Sequence, residues 1–409
     1  MPVLPNSAYQ IKLPHMVHVV QCFPDEKIED IASAVETEIM RDEIKIRIKP
    51  GSSAAVLVGS RGISNIKEIV KATVDCLIRL GAQPFIIPAM GSHGGGVAEE
   101  QKKIIEGYGI TEDYIGVPIR ASMDTVVIGE TSDGVPVHMD KIAYHSDVIV
   151  PVARIKVHTD FYGPIESGLC KMLTIGLGKH NGCSRLHREG FDRFAELIPE
   201  AAKVVLQNKY IGFGIAIIEN AHEHVHMIKA VSGEHILDEE PNLLAISRSL
   251  MPRLQFDDID VLIVEKIGKD ITGAGMDPNI VGRVTTGVTK GFDGPQIKRI
   301  IVLGLSDETH NNATGVGAAD FITKNVFNEI DLESTYANCI ASGDPKAGCI
   351  PLIMKDEEEA LRAAIQTCPG IDENNAKVVK IKDTLHIIDI EVSTNLLEYC
   401  IQSGKFKNI

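Results

Sequence analysis

Residues 148–187, VIVPVARIKVHTDFYGPIESGLCKMLTIGLGKHNGCSRLH, carry the reading on which the fold and function depend. Val148-Ile149-Val150-Pro151-Val152 is a continuous apolar run, as expected of a buried strand. Arg154 and Lys156 then alternate with Ile155 and Val157, so one face opens to water as the strand ends, and His158 sits where it emerges. After a polar turn, Pro164 can open a helix, with Glu166 in the first turn facing the positive end of the dipole. Ile165, Leu169, Met172 and Leu173 would form its buried stripe, with Lys171 nearly opposite. Gly176 and Gly178 end the predicted helix, and Lys179-His180-Asn181-Gly182 and His187 follow in a polar segment. Two imidazoles and an ammonium thus flank one strand-to-helix crossover, and ligands of open α/β sheets bind beyond the carboxyl ends of strands. A surface lysine with solvated histidines satisfies the same spacing.

Upstream the same grammar repeats. Ala54–Val58 reads as a strand ending in Gly59-Ser60-Arg61-Gly62, and helical spacing follows over Ile66–Leu77 until Gly81. Pro84–Met90 is the next strand and runs into Gly91-Ser92-His93-Gly94-Gly95-Gly96 before a helix over 97–107. Strand, glycine-rich turn and helix in alternation predict a doubly wound α/β sheet. The glycine turn lacks the GxGxxG order of a dinucleotide site and the GxxxxGK[ST] order of a phosphate loop. It still allows close backbone approach to a ligand, and His93 within it has little local packing to satisfy.

Shorter signals fill in the rest. Met16–Val20 and Ile44–Ile48 read as strands around a helix near 25–42, and 188–209 as a helix. Phe213–Val231 reads as a hairpin, whose His222, His224 and His226 would share a strand face; either a metal set or exposed alternation explains them. A helix over 235–256 links to a second βα series: strands at 259–264 and 299–305, a helix near 316–328, a helix over 356–365 and a strand at 385–390. At 409 residues the chain exceeds one ordinary core, and we expect an N-terminal domain over 1–240 and a smaller C-terminal α/β domain over 241–409. The net charge of −15 argues against nucleic acid and anionic membrane as partners. Eight scattered cysteines without a CxxC pair read as reduced thiols. With no signal pattern and no apolar run of spanning length, a cytoplasmic protein is expected.

His93, His158 and His187, with Arg61 and Lys171, all fall at or after strand ends of one predicted sheet. Histidine is suited to proton transfer near neutrality, and two bases on opposite faces of one carbon are what a racemase needs. Arg61 could hold a carboxylate through its fork, and Lys171 could anchor a phosphate or bond to a cofactor.

At these residues the chain resembles the nickel-dependent lactate racemase family, over about residues 10–400. Arg61 in VGSRG, His93 in GSHGG, His158, Lys171 in SGLCK and His187 match family motifs in order. The resemblance implies a Rossmann-like N-terminal sheet and a nickel pincer nucleotide, a pyridinium mononucleotide whose sulfur donors hold nickel. Lys171 would tether or contact it, with Ser60, Gly91, Ser92 and Gly168 as further cofactor-binding candidates. His187 would coordinate the metal, with His180 as its rival. His93 and His158 would alternate as base on the substrate hydroxyl while the α-hydrogen passes as hydride to the cofactor, and Arg61 would orient a small 2-hydroxy acid. In the segment MDPNIVGR, Asn279 and Arg283 are candidate substrate residues, Arg283 standing in for positions that here are Gly282 and Thr285. The sequence departs from the family at Val58, where an aspartate is usual, at Gly94, and in having no tryptophan. These departures face the substrate, so the implied acid differs from lactate, a sugar acid being one such case. A metal-dependent lyase or dehydrogenase on the same frame, or a non-catalytic hydroxy-acid or cofactor binder, are the competing readings.

Overall fold

The computed structural model describes residues 4–60, 62–287, 291–292 and 294–408, so Arg61 lies outside the described residues. The chain divides into two compact units, Pro24–Met251 and, together, Met1–Phe23 with Pro252–Ile409. The bounds expected from sequence, 1–240 and 241–409, differ in two ways: the linking helix Ile236–Leu250 stays with the first unit, and the first 23 residues join the second.

The first unit is built on five strands in the order Gln83–Pro88, Ser53–Val58, Val148–Arg154, Phe213–Glu219, Val225–Ser232. The first four run parallel, and the last closes an antiparallel hairpin. Alternate side chains point to opposite faces of a strand, and both faces here are apolar. Ala54, Val56 and Val58 pack with helices Ile31–Ile39 and Ile66–Arg79, while Ala55 and Leu57 join a core with helices Phe194–Asn208 and Ile236–Leu250. A strand buried on both faces must read as an unbroken apolar run, which is why these strands were legible. From Ser53–Val58 the chain first adds a strand on one side and later Val148–Arg154 on the other. The strand order therefore reverses between Ser53–Val58 and Val148–Arg154, and the crevice at their carboxyl ends is the place for a ligand.

Local departures from the expected elements have physical causes. Ile44–Ile48 is not a strand: residues Asp42–Lys45 form one helical turn that buries Ile44 alone. The helix expected from Pro164 starts only at Leu169, because Glu166 folds back to accept from the backbone N–H of His158 (2.6 Å) and Gly163 (3.0 Å). The helical segment passes through one π-helical turn, Met172–Gly176, and ends at Gly176 as expected; after Leu177-Gly178 a second helix, Lys179–His187, begins, so His180 and His187 lie on a helix and not in a loop.

The second unit carries one eight-stranded sheet. Strands Leu352–Met354, Phe321–Thr323, Gln296–Val302, Asp258–Val264 and Val378–Ile381 are parallel; Asp389–Ser393, Met16–Gln21 and Phe406–Lys407 extend it antiparallel. Met16–Val20 pairs with Asp389–Ser393, a contact across almost the whole chain, and this draws the N-terminus into the unit. The helix expected near 316–328 is split, since Phe321–Thr323 adds a strand before helix Lys324–Glu329. The late strand begins at Asp389, not 385. Among the described residues, no helix is long and apolar enough to cross a membrane.

One buried ion pair joins the helical run to the sheet of the first unit. Lys179 and Asp140 are both fully buried, the ammonium lying 3.2 Å from Asp140 Oδ2 and also donating to the carbonyl of Pro88 at the end of its strand. Lys179 takes a left-handed φ of 54°, which a side chain adopts only when its surroundings over-determine it. Burial pushes its pKa down, and Asp140 opposes this. Removing one member leaves an uncompensated buried charge. Lys179→Met should therefore cost about 3–5 kcal/mol in chemical denaturation, and pairing it with Asp140→Leu should recover part of that loss.

Candidate active site

The site is assembled from the turns after strands Ser53–Val58, Gln83–Pro88 and Val148–Arg154 and from the helical run 169–187. The glycine turn Gly91–Gly96 lies directly on that run. Gly91 N–H donates to Gly176 O at 3.0 Å, and a Cβ on Gly176 would stand 2.6 Å from the Ala89 carbonyl oxygen. Gly91 itself takes φ 59° against Cys183. Gln101, fully buried, fixes the turn by donating to the carbonyls of Gly91 (2.9 Å) and His93 (3.0 Å). Its Gly-rich backbone thus reaches the helix, while the His93 side chain is exposed on the turn.

Ser92 then meets the helix side chains: its Oγ is 3.6 Å from Cys183 Sγ, which is 3.6 Å from His187 Nδ1. Residues four apart share a helix face, so Cys183 and His187 are neighbours. His187 Nδ1 is 2.7 Å from the Cys183 carbonyl oxygen. A carbonyl only accepts, so Nδ1 carries the proton and Nε2 holds the lone pair. Burial works against charge on both groups, yet their mutual contact holds the Cys183 thiol below and the His187 imidazole above their ordinary ranges. Lys171 is close enough for its charge to oppose protonation of His187. His180 is exposed and stands near Gly96 in the glycine turn. It precedes His187 by seven residues, roughly 10 Å along the helix axis.

His158 approaches from the strand end. Its ring packs on Phe161 (4.5 Å between centroids) and Phe191 (6.3 Å), and His187 packs on Phe191 (5.6 Å) and Phe194 (5.0 Å). The two imidazoles thus share one aromatic wall. His158 Nδ1 accepts from the Asp160 N–H at 3.0 Å, and Asp160 Oδ2 is 3.6 Å from the same nitrogen. Beneath it, Glu166 is buried and also accepts from Arg248 Nη2 at 2.6 Å; burial raises its pKa despite these partners. From the first strand, Gly59 stands against Met172, next to Lys171, and the Ser60 carbonyl accepts from Tyr108 Oη at 2.5 Å.

The turn bearing Lys171 rests on Glu240. Its Oε2 accepts from Cys170 N–H at 2.9 Å, and a Cβ on Gly168 would fall 2.2 Å from its Oε1. Burial pushes Glu240 up to about 7. Sequence reading missed Glu240, Cys183 and the Lys179–Asp140 pair. Only the glycines at 168, 176 and 178, which permit close approach, signal them.

The hairpin histidines lie apart from this cluster. His222 and His224 fall in the hairpin turn, not on a strand face; His224 Nδ1 pairs with Asp25 at 2.7 Å, and His226 Nδ1 meets the Glu26 carbonyl at 2.9 Å. Among the described residues, no group of three His, Cys, Asp or Glu side chains is arranged to hold a metal, which removes the histidine-strand reading. Asn279 and Arg283 belong to the second unit. Arg283 donates to Asp320 Oδ2 (2.6 Å) and to the carbonyls of Ala318, Ile297 and Lys298, while Asn279 Nδ2 donates to Asp277 Oδ1.

Residues 11–196, which contain every element of the cluster except Glu240 and Arg248, match the family model described as the lactate racemase N-terminal domain. This stretch, a little under half of the chain, is similar to that domain. The fold of the chain is similar to the lactate racemase apoprotein from Thermoanaerobacterium thermosaccharolyticum, at 13% identity and a TM-score of 0.54, covering 91% of this chain and 99% of that one. It is also similar to a structural-genomics protein from Thermotoga maritima, at 12% identity and a TM-score of 0.52, covering 80% and 84% respectively. No curated protein sequence is significantly similar to the chain.

Glu240 offers a test of how this candidate site is held. Its folded pKa is raised from 4.5 to about 7, so its stabilising contribution is full below about pH 4.5 and is lost as pH rises through about 7. Relative to Glu240→Gln, the native protein should lose about 3 kcal/mol of unfolding free energy across that window, at ~1.4 kcal/mol per pKa unit. Denaturant titrations of both proteins at a series of pH values measure the difference. A flat difference would mean that the carboxyl is not shifted.

Proposed function

We propose that this chain is a racemase or epimerase of a 2-hydroxy acid that works with a nickel pincer nucleotide. The supporting observation is the convergence of Lys171, His187 and His158 on one aromatic-walled cluster at the switch point of the first sheet. The donor chemistry fits the cofactor. His187 commits Nδ1 to a carbonyl and keeps Nε2 for a metal, the outer contact that orients ligating histidines. With one protein ligand of this kind, the other donors belong to the cofactor's sulfur atoms. Lys171, opening the π-helical turn, supplies the amine that holds the cofactor. When bound, the nickel pincer nucleotide supplies reversible hydride acceptance at the substrate α-carbon.

The chain's own residues handle the proton and the water. With Nδ1 accepting from the Asp160 amide, neutral His158 carries its proton on Nε2 and binds the substrate as a donor. In the other tautomer, Nδ1–H faces the Asp160 carboxylate and Nε2 becomes an acceptor. Asp160 thus has a partner for either tautomer, as a group that alternates between acid and base requires. His93, on the glycine turn, takes the substrate hydroxyl proton for the opposite hand. Phe161, Phe191 and Phe194 keep bulk water from the imidazoles, and Arg61 orients the carboxylate. Gly94 and the absence of tryptophan adapt the site to an acid other than lactate, such as a sugar acid, whereas Val58 is buried in the core.

The protein should be produced together with nickel-cofactor synthesis enzymes, assayed for bound nickel, and incubated with single-enantiomer 2-hydroxy acids. We expect about one nickel per chain, lost in Lys171→Ala and retained in His158→Asn. Inversion should fall roughly 10²–10⁴-fold in His158→Asn, the range for losing an acid–base group. Inversion that survives Lys171→Ala, or none across the panel from nickel-loaded protein, would sink the proposal.

A further inference from the structure

A cavity opens at the other end of the same sheet. It encloses about 410 Å³ and is lined by Ser53, Phe85, Arg120, Lys141, Ile142 and His145, with Ser122, Asp124 and Ser146 completing the wall. Ser53 begins its strand and Ser146 precedes Val148, so the cavity sits at the amino ends of strands whose carboxyl ends carry the candidate active site. Six-residue strands separate the two by about 20 Å.

Its charge is unusual for an acidic chain of net −15. Arg120, Lys141 and His145 are exposed, and among the described residues none has a carboxylate within ion-pair distance. Asp124 is the one carboxylate in the lining, and its backbone carbonyl accepts from Lys141 N–H at 2.9 Å. The Arg120 guanidinium lies over the Phe85 ring, Cζ 4.1 Å from the centroid, while its backbone N–H bonds Ile86 O at 2.8 Å. Stacking fixes the plane of the fork and leaves its N–H edge available, the arrangement with which arginine takes a planar or tetrahedral oxyanion. Ser53 Oγ donates to Asp147 and Ser146 Oγ to the Ala143 carbonyl, while Ser122 Oγ accepts from the Asp124 N–H. The cations therefore supply the recognition, and Phe85 and Ile142 supply an apolar wall.

We propose that this cavity binds a small organic phosphate monoester. Two permanent cations and a histidine match a dianion, the volume exceeds that of a bare phosphate, and the apolar wall accepts an organic body. A site so far from the active site holds an effector or a second ligand, not the reacting acid.

The test is a calorimetric titration of the full chain with phenyl phosphate and, separately, with inorganic phosphate. Phenyl phosphate should bind more tightly than inorganic phosphate. Its affinity should fall at least about tenfold in Arg120→Gln and again in Lys141→Gln, as expected for charge-assisted hydrogen bonds. It should be unchanged in Lys171→Ala, which separates this cavity from any phosphate subsite of the proposed cofactor. Thermal unfolding of the two glutamine variants should match the native protein, since neither side chain is buried. No binding of either phosphate, binding that survives both glutamine substitutions, or loss in Lys171→Ala would overturn the proposal. Equal affinity for the two phosphates would overturn the organic-ester assignment.

Discussion

The candidate active site depends on the backbone of one turn touching the backbone of one helix. Gly91 donates to the carbonyl of Gly176, and Gly176 has room for no side chain beneath Ala89. Beside this contact, the Lys179 ammonium is buried between the Pro88 carbonyl and the Asp140 carboxylate. Without that approach, Ser92 would not reach Cys183, and the face bearing Lys171 and His187 would have no turn laid across it. A buried ion pair is weak evidence for net stability. Here its effect is geometric: it fixes where the helical run starts again after its π-helical turn. Such turns are frequent at functional sites because they re-aim side chains that a regular helix would point elsewhere.

Three buried acids support the run from below, each differently. Asp140 neutralises Lys179; Glu166 gathers the His158 and Gly163 amides with Arg248; Glu240 receives the Cys170 amide at the start of the turn bearing Lys171. Burial favours the neutral form of an acid unless partners compensate. Glu166 and Glu240 are both raised accordingly, Glu240 further, since it receives only backbone N–H groups and the Cys170 thiol. Glu240, pushed up to about 7 by burial, thus underlies a site whose imidazoles are fixed by backbone groups.

Much of the first unit was legible because its strands are buried on both faces. Ala54–Val58, Pro84–Met90 and Val148–Val152 read as unbroken apolar runs, and the glycine turn after the second marked a ligand-facing loop. The candidate residues at 93, 158, 171 and 187 stood out as polar groups at or after those strand ends. What stayed hidden depends on contacts between distant residues. A buried lysine looks like a surface lysine until Asp140 and Pro88 surround it. Gly176 and Gly178 read as helix stops, which they are, but nothing local says that they also permit a close approach or that a second helix follows at once. Met16–Val20 reads as a strand, but nothing local says that it pairs with Asp389–Ser393. Nor does anything local announce that the Arg283 fork meets Asp320 and three carbonyls.

The claim on which the account turns is that the glycine-rich turn rests on helix Lys179–His187, with Ser92 over Cys183. A mildly oxidised Ser92→Cys variant, digested and mapped by mass spectrometry, tests this directly, because a 3.6 Å separation of the native Oγ and Sγ atoms brings two thiols within reach of a bond. The account predicts a disulfide between position 92 and Cys183. Two free thiols at these positions, or Cys183 bonded to some other cysteine, would contradict it.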